Sequence, residues 1–171
     1  MNVSPDIFIS LGSNLSDREK NLLHAIELIA ELTDTIVINK SAVYTTAAWG
    51  NTNQSDFLNR VIAIQSILSP AELMKTLLQL EEKMGRVRND HWGPRIIDMD
   101  ILFYGNEVHH APHLTIPHPE LQNRNFVLVP LNEIAPDFIH PVLKRTISQL
   151  LHASPDKLNV LTAIEAGISN G

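Results

Sequence analysis

The sequence predicts an α+β fold of the ferredoxin-like type, with a mainly antiparallel sheet and helices packed on it in α/β/α layers. The chain has 171 residues, of which 44% are hydrophobic and 19% are charged, and this size and composition are typical of one globular domain. Its periodic segments follow the order strand, helix, strand, strand, helix, strand, which favours helices on an antiparallel sheet. We expect a single domain over 1–171, in which about 159–171 form a C-terminal extension of unknown role.

The first strand and helix are predicted from a short apolar run and a helical stripe. The run Ile7–Leu11 predicts a strand, and Gly12-Ser13-Asn14 after it has the composition of a turn. Ser16 and Glu19 match a capping box, and apolar residues then recur at helical spacing. We therefore expect a helix over about 17–32 whose apolar stripe faces the sheet.

The following elements are predicted in the same way. Residues 35–44 and 57–67 are rich in β-branched and aromatic residues and predict two strands. Ser69 at the N-cap, Pro70 at N1 and Glu72 at N3 start a helix that Gly85 should end. Residues 96–104 predict another strand, and shorter helices are expected near 126–134 and 145–152.

Composition excludes several classes of function. The formal net charge is −6, so nucleic-acid and membrane phosphates should repel the chain on average, and any phosphate site must be a local basic cluster. The absence of cysteine excludes disulfides, thiolate metal sites and a cysteine nucleophile. No apolar run has the ~20 residues needed to span a bilayer and the N-terminus lacks a signal-peptide pattern, so we expect a cytoplasmic protein.

The clearest chemical signal is a pair of aspartates in an apolar strand. Side chains alternate along a strand, so Asp98 and Asp100 should point to one face, and Ile97, Met99 and Ile101 to the other. Neighbouring carboxylates repel unless a cation or hydrogen bonds compensate them, and a pair of hard divalent ions is one solution. A solvated acidic strand face is the alternative reading of the pair taken alone.

A basic loop precedes these aspartates. Arg86, Arg88 and Arg95 lie within a dozen residues of the pair, and arginine grips phosphate through its planar fork, so the segment suits a polyphosphate. Ordinary ion pairing between arginine and aspartate is the alternative. Trp92 in this loop and Trp49 in the earlier loop could enclose a planar heterocycle or could simply pack.

Three further positions are ambiguous from the sequence. Glu81 is interpreted as a carboxylate on a helix surface, although it lies near the arginine loop. His118 lies between Pro117 and Pro119, which restrict its backbone, and it is a candidate phosphate contact. Gly12-Ser13-Asn14 lacks the lysine of a phosphate-binding P-loop and is read as a turn at the sheet edge.

Taken together, these residues resemble the 6-hydroxymethyl-7,8-dihydropterin pyrophosphokinase family of folate biosynthesis, from about Ile7 to Leu158. The most specific segment is Trp92–Leu102 (WGPRIIDMDIL). Other matching pieces are Gly12-Ser13-Asn14, Tyr44 with Thr46, Phe57-Leu58-Asn59, Glu81 before Gly85-Arg86-Val87-Arg88, Pro117-His118-Pro119 and Asn123-Arg124-Asn125-Phe126.

The resemblance implies a reaction and a set of contacts. ATP would transfer a pyrophosphoryl group to the pterin hydroxymethyl group, with two Mg²⁺ ions held by Asp98 and Asp100 and with Arg86 and Arg95 stabilising charge. The implied pterin contacts are Thr46, Ala47, Trp49, Phe57, Asn59, Trp92, Asp98 and Phe126. The implied ATP contacts are Glu81, Arg86, Arg88, Trp92, Arg95, Ile101, His113, Leu114, Thr115, His118 and Arg124. The implied partners are these two small molecules, and we expect a monomer.

Two other functions remain open at this stage. A nucleotidyltransferase also combines a Gly-Ser turn with paired aspartates and two metals, but it transfers AMP and releases pyrophosphate. A non-catalytic module would hold a nucleotide without chemistry, although it has no need for paired metal-binding carboxylates.

Overall fold

A computed structural model describes residues 6–46, 56–86 and 95–163, and its central element is an antiparallel sheet. The strands are β1 (Ile7–Ser13), β2 (Thr35–Lys40), β3 (Tyr44–Thr46), β4 (Phe57–Ser66), β5 (Asp98–Tyr104), β6 (His109–Ala111), β7 (Leu114–Ile116) and β8 (Leu161–Thr162). The helices are α1 (Arg18–Ala30), α2 (Pro70–Lys83), α3 (Asn125–Ile134) and α4 (Ile147–His152), with a 3₁₀ turn at Leu121–Asn123.

The order of strands confirms the ferredoxin-like prediction. The main sheet runs β5-β1-β4-β3-β8, β2 also pairs with β4, and every pairing is antiparallel. β2 and β3 lie end to end along one edge of the long strand β4. The predicted single strand over 35–44 is interrupted at Ser41, because the Ser41 hydroxyl accepts a hydrogen bond from the Val61 N–H at 2.9 Å.

The helices α1 and α2 pack on one face of the sheet, and α3 and α4 pack on the other. Ile9 and Met99 belong to the hydrophobic cluster under α1 and α2, whereas Phe8 and Leu102 belong to the cluster under α3 and α4. The sheet is therefore covered on both sides, which is the α/β/α layering predicted from the sequence. None of the helices within the described ranges is long and apolar enough to cross a membrane.

Local signals placed most of the helix ends correctly, with one correction. Ser69 and Glu72 form the predicted capping box of α2, and Gly85 follows that helix with a φ of +96°. In α1, however, Asp17 is the N-cap, and its carboxylate accepts from the Lys20 N–H at 3.2 Å. Ser16 has a φ of +62° and belongs to the preceding turn, so the capping box predicted for it is wrong.

β1 is longer than predicted. Gly12 and Ser13 pair with Asn59 and Leu58 of β4, so they continue the strand and do not form the expected turn. Pairing with neighbouring strands on both sides of Gly12 outweighs the turn preference of this segment. This extension brings Gly12 into the centre of the sheet face described next.

Candidate active site

One row of residues crosses the sheet on the face that carries α3. Gly12 of β1 lies opposite Asp98 of β5 on one side and opposite Asn59 of β4 on the other. Tyr44 of β3 lies opposite Asn59, and directly opposed residues share a face. The alternation predicted for β5 is present, so Asp98 and Asp100 point towards this face while their neighbours pack into the other layer.

Both arginines that frame the described site meet the same carboxylate. The Arg86 Nη2 atom lies 3.1 Å from Asp98 Oδ1, and the Arg95 Nη1 atom lies 3.0 Å from Asp98 Oδ2. These side chains are 15–23% exposed, so water reaches them only in part. Arg86 and Arg95, although nine residues apart in the sequence, therefore converge on one point beside the aspartate pair.

Glu81 is not the solvated surface carboxylate that the sequence indicated. It is 1% exposed, its Oε1 accepts from the Met99 N–H at 2.9 Å, and its Oε2 forms an ion pair with Arg86. Burial raises the pKa of Glu81, while the bonds from Met99 and Arg86 act in the opposite direction. Glu81 thus ties α2 to β5 and orients Arg86 towards Asp98.

The surroundings of Asp100 disfavour its charged form. The residue is exposed to solvent, yet protein atoms crowd its carboxylate and the charges of Asp98 and Glu81 repel it. Desolvation, followed by these charges, raises the pKa of Asp100 to about 7, although Arg86 and Arg124 lower it. A cation beside Asp100 would reverse this balance.

We predict from this shift that Asp100→Asn gains stability relative to the wild type as the pH rises. Because the pKa of folded Asp100 is about 7 and that of an unfolded aspartate is about 4, the stability from its protonation is present below pH ~4 and lost through pH ~7. Urea unfolding of both proteins with a chelator, at intervals between pH 4 and 8, measures the difference. If the difference in unfolding free energy between the two proteins does not change over this range, the pKa of Asp100 is not raised.

A residue that sequence reasoning read only as part of a turn holds the backbone of Arg95. The Asn14 side-chain oxygen accepts from the Arg95 N–H at 2.7 Å, and the Asn14 N–H donates to the Arg95 carbonyl at 3.0 Å. Asn14 is 3% exposed. These two bonds fix the backbone of Arg95, three residues before β5 begins.

A second group of polar residues lies at the other end of the row. The Asn59 Nδ2 atom donates to the Thr46 hydroxyl at 2.9 Å, and both residues are buried. A Cβ atom added at Gly12 would lie 2.9 Å from Asn59 Oδ1 and 3.7 Å from Cδ1 of Phe57. Glycine at this position therefore leaves room for the amide of Asn59.

The segment around His118 forms a third side of the site. The His118 N–H donates to the carbonyl of Leu102 in β5 at 3.0 Å, and its Nδ1 accepts from the Glu120 N–H at 3.2 Å. Desolvation and the nearby Arg124 lower the pKa of His118 to about 4, so the ring is neutral at pH 7. Arg124 itself lies over the ring of Phe126, 5.8 Å from its centroid.

Two further predicted ATP contacts, Ile101 and Leu114, pack on the side of the sheet opposite the aspartate pair. Ile101 is 2% exposed and packs in the hydrophobic cluster under α1 and α2, and Leu114 packs against the same cluster. Thr115 is in β7, which pairs with β6, and His113 is exposed between these two strands. Ala47, Trp49, Arg88 and Trp92 lie outside the described residues.

The family profile and the similar proteins that match this chain all carry the name of one pterin pyrophosphokinase. The sequence profile of the family described as 7,8-dihydro-6-hydroxymethylpterin-pyrophosphokinase (HPPK) matches residues 8–136. The 2-amino-4-hydroxy-6-hydroxymethyldihydropteridine pyrophosphokinase of Synechocystis sp. is 43% identical over 143 residues, which is 84% of this chain and 73% of that protein. The enzyme of the same name from Haemophilus influenzae is 39% identical over 155 residues, 89% of this chain and 97% of that protein.

Solved structures support the fold. A crystal structure of Plasmodium falciparum HPPK-DHPS with pteroate has a TM-score of 0.69 at 18% sequence identity and covers 89% of this chain. The present chain spans 42% of that longer protein, so the likeness concerns one part of it. On the sequence matches, the chain belongs to the 7,8-dihydro-6-hydroxymethylpterin-pyrophosphokinase family.

Proposed function

We propose that the cluster of Asp98, Asp100, Arg86 and Arg95 is the reacting centre at which this chain transfers pyrophosphate from ATP to 6-hydroxymethyl-7,8-dihydropterin. Transfer to this pterin in folate biosynthesis is the activity of the family to which the chain belongs. The observation that carries the proposal is the convergence of both arginines on Asp98 beside the second carboxylate. The products are AMP and the pterin diphosphate.

The donor atoms fit magnesium. Mg²⁺ prefers oxygen ligands and usually takes one or two carboxylates, filling its other positions with water and substrate phosphates. Within 6–46, 56–86 and 95–163, no three His, Asp or Glu side chains form a complete metal cage, so substrate oxygens would complete the site. Desolvation, followed by repulsion from Asp98 and Glu81, raises the pKa of Asp100, and a bound cation would oppose both effects.

We propose that Asp98 and Asp100 hold two Mg²⁺ ions. When bound, Mg²⁺ neutralises phosphate charge and lowers the pKa of a coordinated hydroxyl. The chain's own residues do the rest: the carboxylates would hold the ions beside the pterin site, and the guanidinium groups supply fixed positive charge where negative charge develops.

Arg86 and Arg95 are proposed to stabilise the group in transfer. Arginine stays protonated and presents a rigid fork of donors, so phosphate oxygens compete with Asp98 for the same N–H groups. Glu81 forms an ion pair with the Arg86 side chain, and the Asn14 side-chain oxygen accepts a hydrogen bond from the Arg95 backbone N–H. The Arg86 side chain and the Arg95 backbone are therefore held in place before substrate binds, which lowers the cost of reorganisation when phosphate replaces Asp98 as their partner.

The pterin is proposed to lie over Asn59, Thr46 and Phe126. Asn59 and Thr46 form a buried amide–hydroxyl pair that can offer acceptors and donors to a ring edge, and Phe126 offers an aromatic face. Phe57 lies beside this pair. Trp92, Ala47 and Trp49 are assigned to the same ligand by the family resemblance alone.

Gly12→Ala is predicted to weaken pterin binding selectively. The new methyl group would lie 2.9 Å from Asn59 Oδ1 and displace the amide from its bond with Thr46. We expect the pterin KM to rise about tenfold, the size of losing one well-placed hydrogen bond, with the KM for ATP within twofold. Steady-state kinetics with each substrate varied measures both; an equal rise in the two constants would contradict this role of Gly12.

The ATP is proposed to lie along β5, β7 and the segment 118–124. His118 accepts at Nδ1 in its neutral form, so the hydrogen is on Nε2 and can be donated to phosphate. Arg124 adds positive charge to the same side. Glu81, Arg88, Ile101, His113, Leu114 and Thr115 remain proposed ATP contacts from the family resemblance. The expectations of a single catalytic domain over 1–171, a monomer and a cytoplasmic location stay predictions.

Nucleotide analysis tests this function against its alternatives. The protein is incubated with Mg-ATP, with and without 6-hydroxymethyl-7,8-dihydropterin, and nucleotides are separated by ion-exchange chromatography. We expect AMP to form only when the pterin is present. Release of pyrophosphate would indicate nucleotidyl transfer, and unchanged ATP in a protein that binds both ligands would indicate a non-catalytic module.

A further inference from the structure

The chain after α4 contacts two separate sides of the candidate site. We call residues 154–163 the C-terminal arm. Its first part reaches the start of α3 through Asp156, and its last part adds β8 to the edge of the sheet beside β3. The arm is thus bonded to the two elements that carry Phe126 and Thr46.

The start of α3 receives its cap from this arm. Arg124 occupies the N-cap position, and its side chain makes no capping hydrogen bond. Instead, Asp156 Oδ2 accepts from the Asn125 N–H at 2.8 Å, across 31 residues of sequence. A carboxylate is well suited to this position because it satisfies a first-turn N–H and complements the helix dipole.

Asp156 is itself held in place by local bonds. Its Oδ1 accepts from the Leu158 N–H at 2.9 Å, and its own N–H donates to the Ser154 hydroxyl at 3.2 Å. The side-chain Nδ2 atom of Asn125 also lies 3.4 Å from the backbone carbonyl oxygen of Asp156. The carboxylate therefore presents one oxygen to its own turn and the other to α3.

The start of α3 carries residues with two different proposed partners. Arg124 contributes positive charge that lowers the pKa values of Asp100 and His118, on the side assigned to ATP. Phe126 lies one residue beyond Asn125 and is assigned to the pterin. A shift of this helix end would therefore disturb the sites for both substrates.

The second contact of the arm reaches only the pterin side. Leu161 and Thr162 pair with Thr45 and Tyr44, and the Ala163 N–H donates to the Val43 carbonyl at 2.9 Å. Ala163 is 2% exposed, so this end of the arm is packed into the protein. β3 ends at Thr46, whose hydroxyl accepts from Asn59.

We propose that the C-terminal arm is a positioning element for the substrate site. Asp156 positions the start of α3 for both substrates, and β8 positions β3 for the pterin alone. The proposal rests on the proposed function, because that function assigns Arg124 to ATP and Phe126 and Thr46 to the pterin. It predicts that changes in the two parts of the arm alter the Kd values of the two ligands differently. A general loss of stability would not produce this difference.

Four variants and two controls separate the contacts of Asp156 from those of β8. Asp156→Ala removes the acceptor for Asn125, and Asp156→Asn keeps one of its two acceptor oxygens. Ala163→Pro removes the N–H that bonds to Val43, and a chain ending at Asn159 removes β8 without adding a proline. Asp137→Ala, an exposed aspartate beyond the other end of α3, and Leu161→Ser, an exposed side chain that keeps the backbone pairing, are the matched controls.

Calorimetric titration with an ATP analogue that does not react measures the Kd of each ligand in the absence of turnover. The wild type, each variant and each control are titrated with α,β-methylene-ATP in magnesium buffer, and then with 6-hydroxymethyl-7,8-dihydropterin at saturating analogue. We expect Asp156→Ala to raise both Kd values about tenfold, the size of losing one charge-assisted hydrogen bond, with Asp156→Asn intermediate. Ala163→Pro and the shortened chain should raise the pterin Kd about tenfold and leave the analogue Kd within twofold.

Several outcomes would overturn the positioning role. Wild-type Kd values in all arm variants would do so, as would a fall only in the fraction of protein able to bind, which indicates general instability. Equal effects of Asp156→Ala and Ala163→Pro on both ligands would also contradict it. If the wild type binds both ligands but forms no AMP, the proposed reaction fails and the Kd pattern still decides on the arm. If it forms AMP and the variants bind normally, the arm alone fails.

Discussion

Asp100→Asn is expected to lower turnover by at least about 10³-fold while making the metal-free protein more stable at pH 8. The same substitution at Asp98 is expected to lower turnover to a similar extent and to destabilise the protein by about 1–2 kcal/mol. The difference arises because Asp98 is paired with Arg86 and Arg95, whereas the charge on Asp100 is opposed by its surroundings. Both losses of turnover follow if each carboxylate is a metal ligand.

Single-turnover rates and urea unfolding measure the two effects of these aspartate substitutions. Titration with Mn²⁺ in the presence of α,β-methylene-ATP, followed by electron paramagnetic resonance, adds a count of bound ions, which we expect to be two per chain in the wild type and fewer in either variant. Glu107→Gln is the control, because this exposed carboxylate pairs with His109 away from the aspartate pair. Rates within tenfold of wild type for either aspartate variant would refute its assignment as a metal ligand.

Arg95→Ala and Arg86→Ala are expected to lower the rate of the chemical step by about 10³-fold or more, with little change in substrate affinity. Their effects on stability should differ. Arg95 forms an ion pair with Asp98, and both side chains are only partly buried, so loss of this pair should cost little stability. Arg86, in contrast, is the cationic partner of buried Glu81. Leaving a buried charge without its partner costs about 3–5 kcal/mol.

The double variant Arg86→Ala Glu81→Gln separates catalysis from folding. Neutralising Glu81 removes the unpaired charge, so we expect stability to recover relative to Arg86→Ala while turnover stays low. Rapid-quench kinetics and thermal unfolding measure the two quantities on the same preparations. Recovery of turnover together with stability would mean that Arg86 acts only by supporting Glu81 and not on the transferred group.

The sequence predicted those parts of the fold that depend on local signals. The capping box at Ser69, the end of α2 at Gly85 and the alternation of Asp98 with Met99 are all set by neighbouring residues, and the structure has them. The family motifs located the candidate site because they include the segment that joins the arginines to β5. Local pattern was therefore enough for the overall architecture.

Residues whose roles depend on distant contacts were not predicted. Glu81 was interpreted as solvated because its burial arises only when α2 packs against β5 and the Met99 N–H needs an acceptor. Gly12 was read as a turn because its pairing with strands on both sides cannot be inferred from its neighbours in sequence. Asp156 caps a helix that begins 31 residues before it, and no local rule relates the two.

Phosphorus NMR of the reaction products distinguishes transfer of a pyrophosphoryl group from transfer of a phosphoryl or an adenylyl group. The protein is mixed with Mg-ATP and 6-hydroxymethyl-7,8-dihydropterin, and an Asp98→Ala Asp100→Ala variant serves as the control. We predict AMP together with two new coupled phosphorus signals from a diphosphate attached to the pterin, and neither product in the control. A pterin monophosphate with ADP, or a pterin bearing AMP with free pyrophosphate, would rule out pyrophosphoryl transfer. The same products from the control would show that Asp98 and Asp100 are not needed for the reaction.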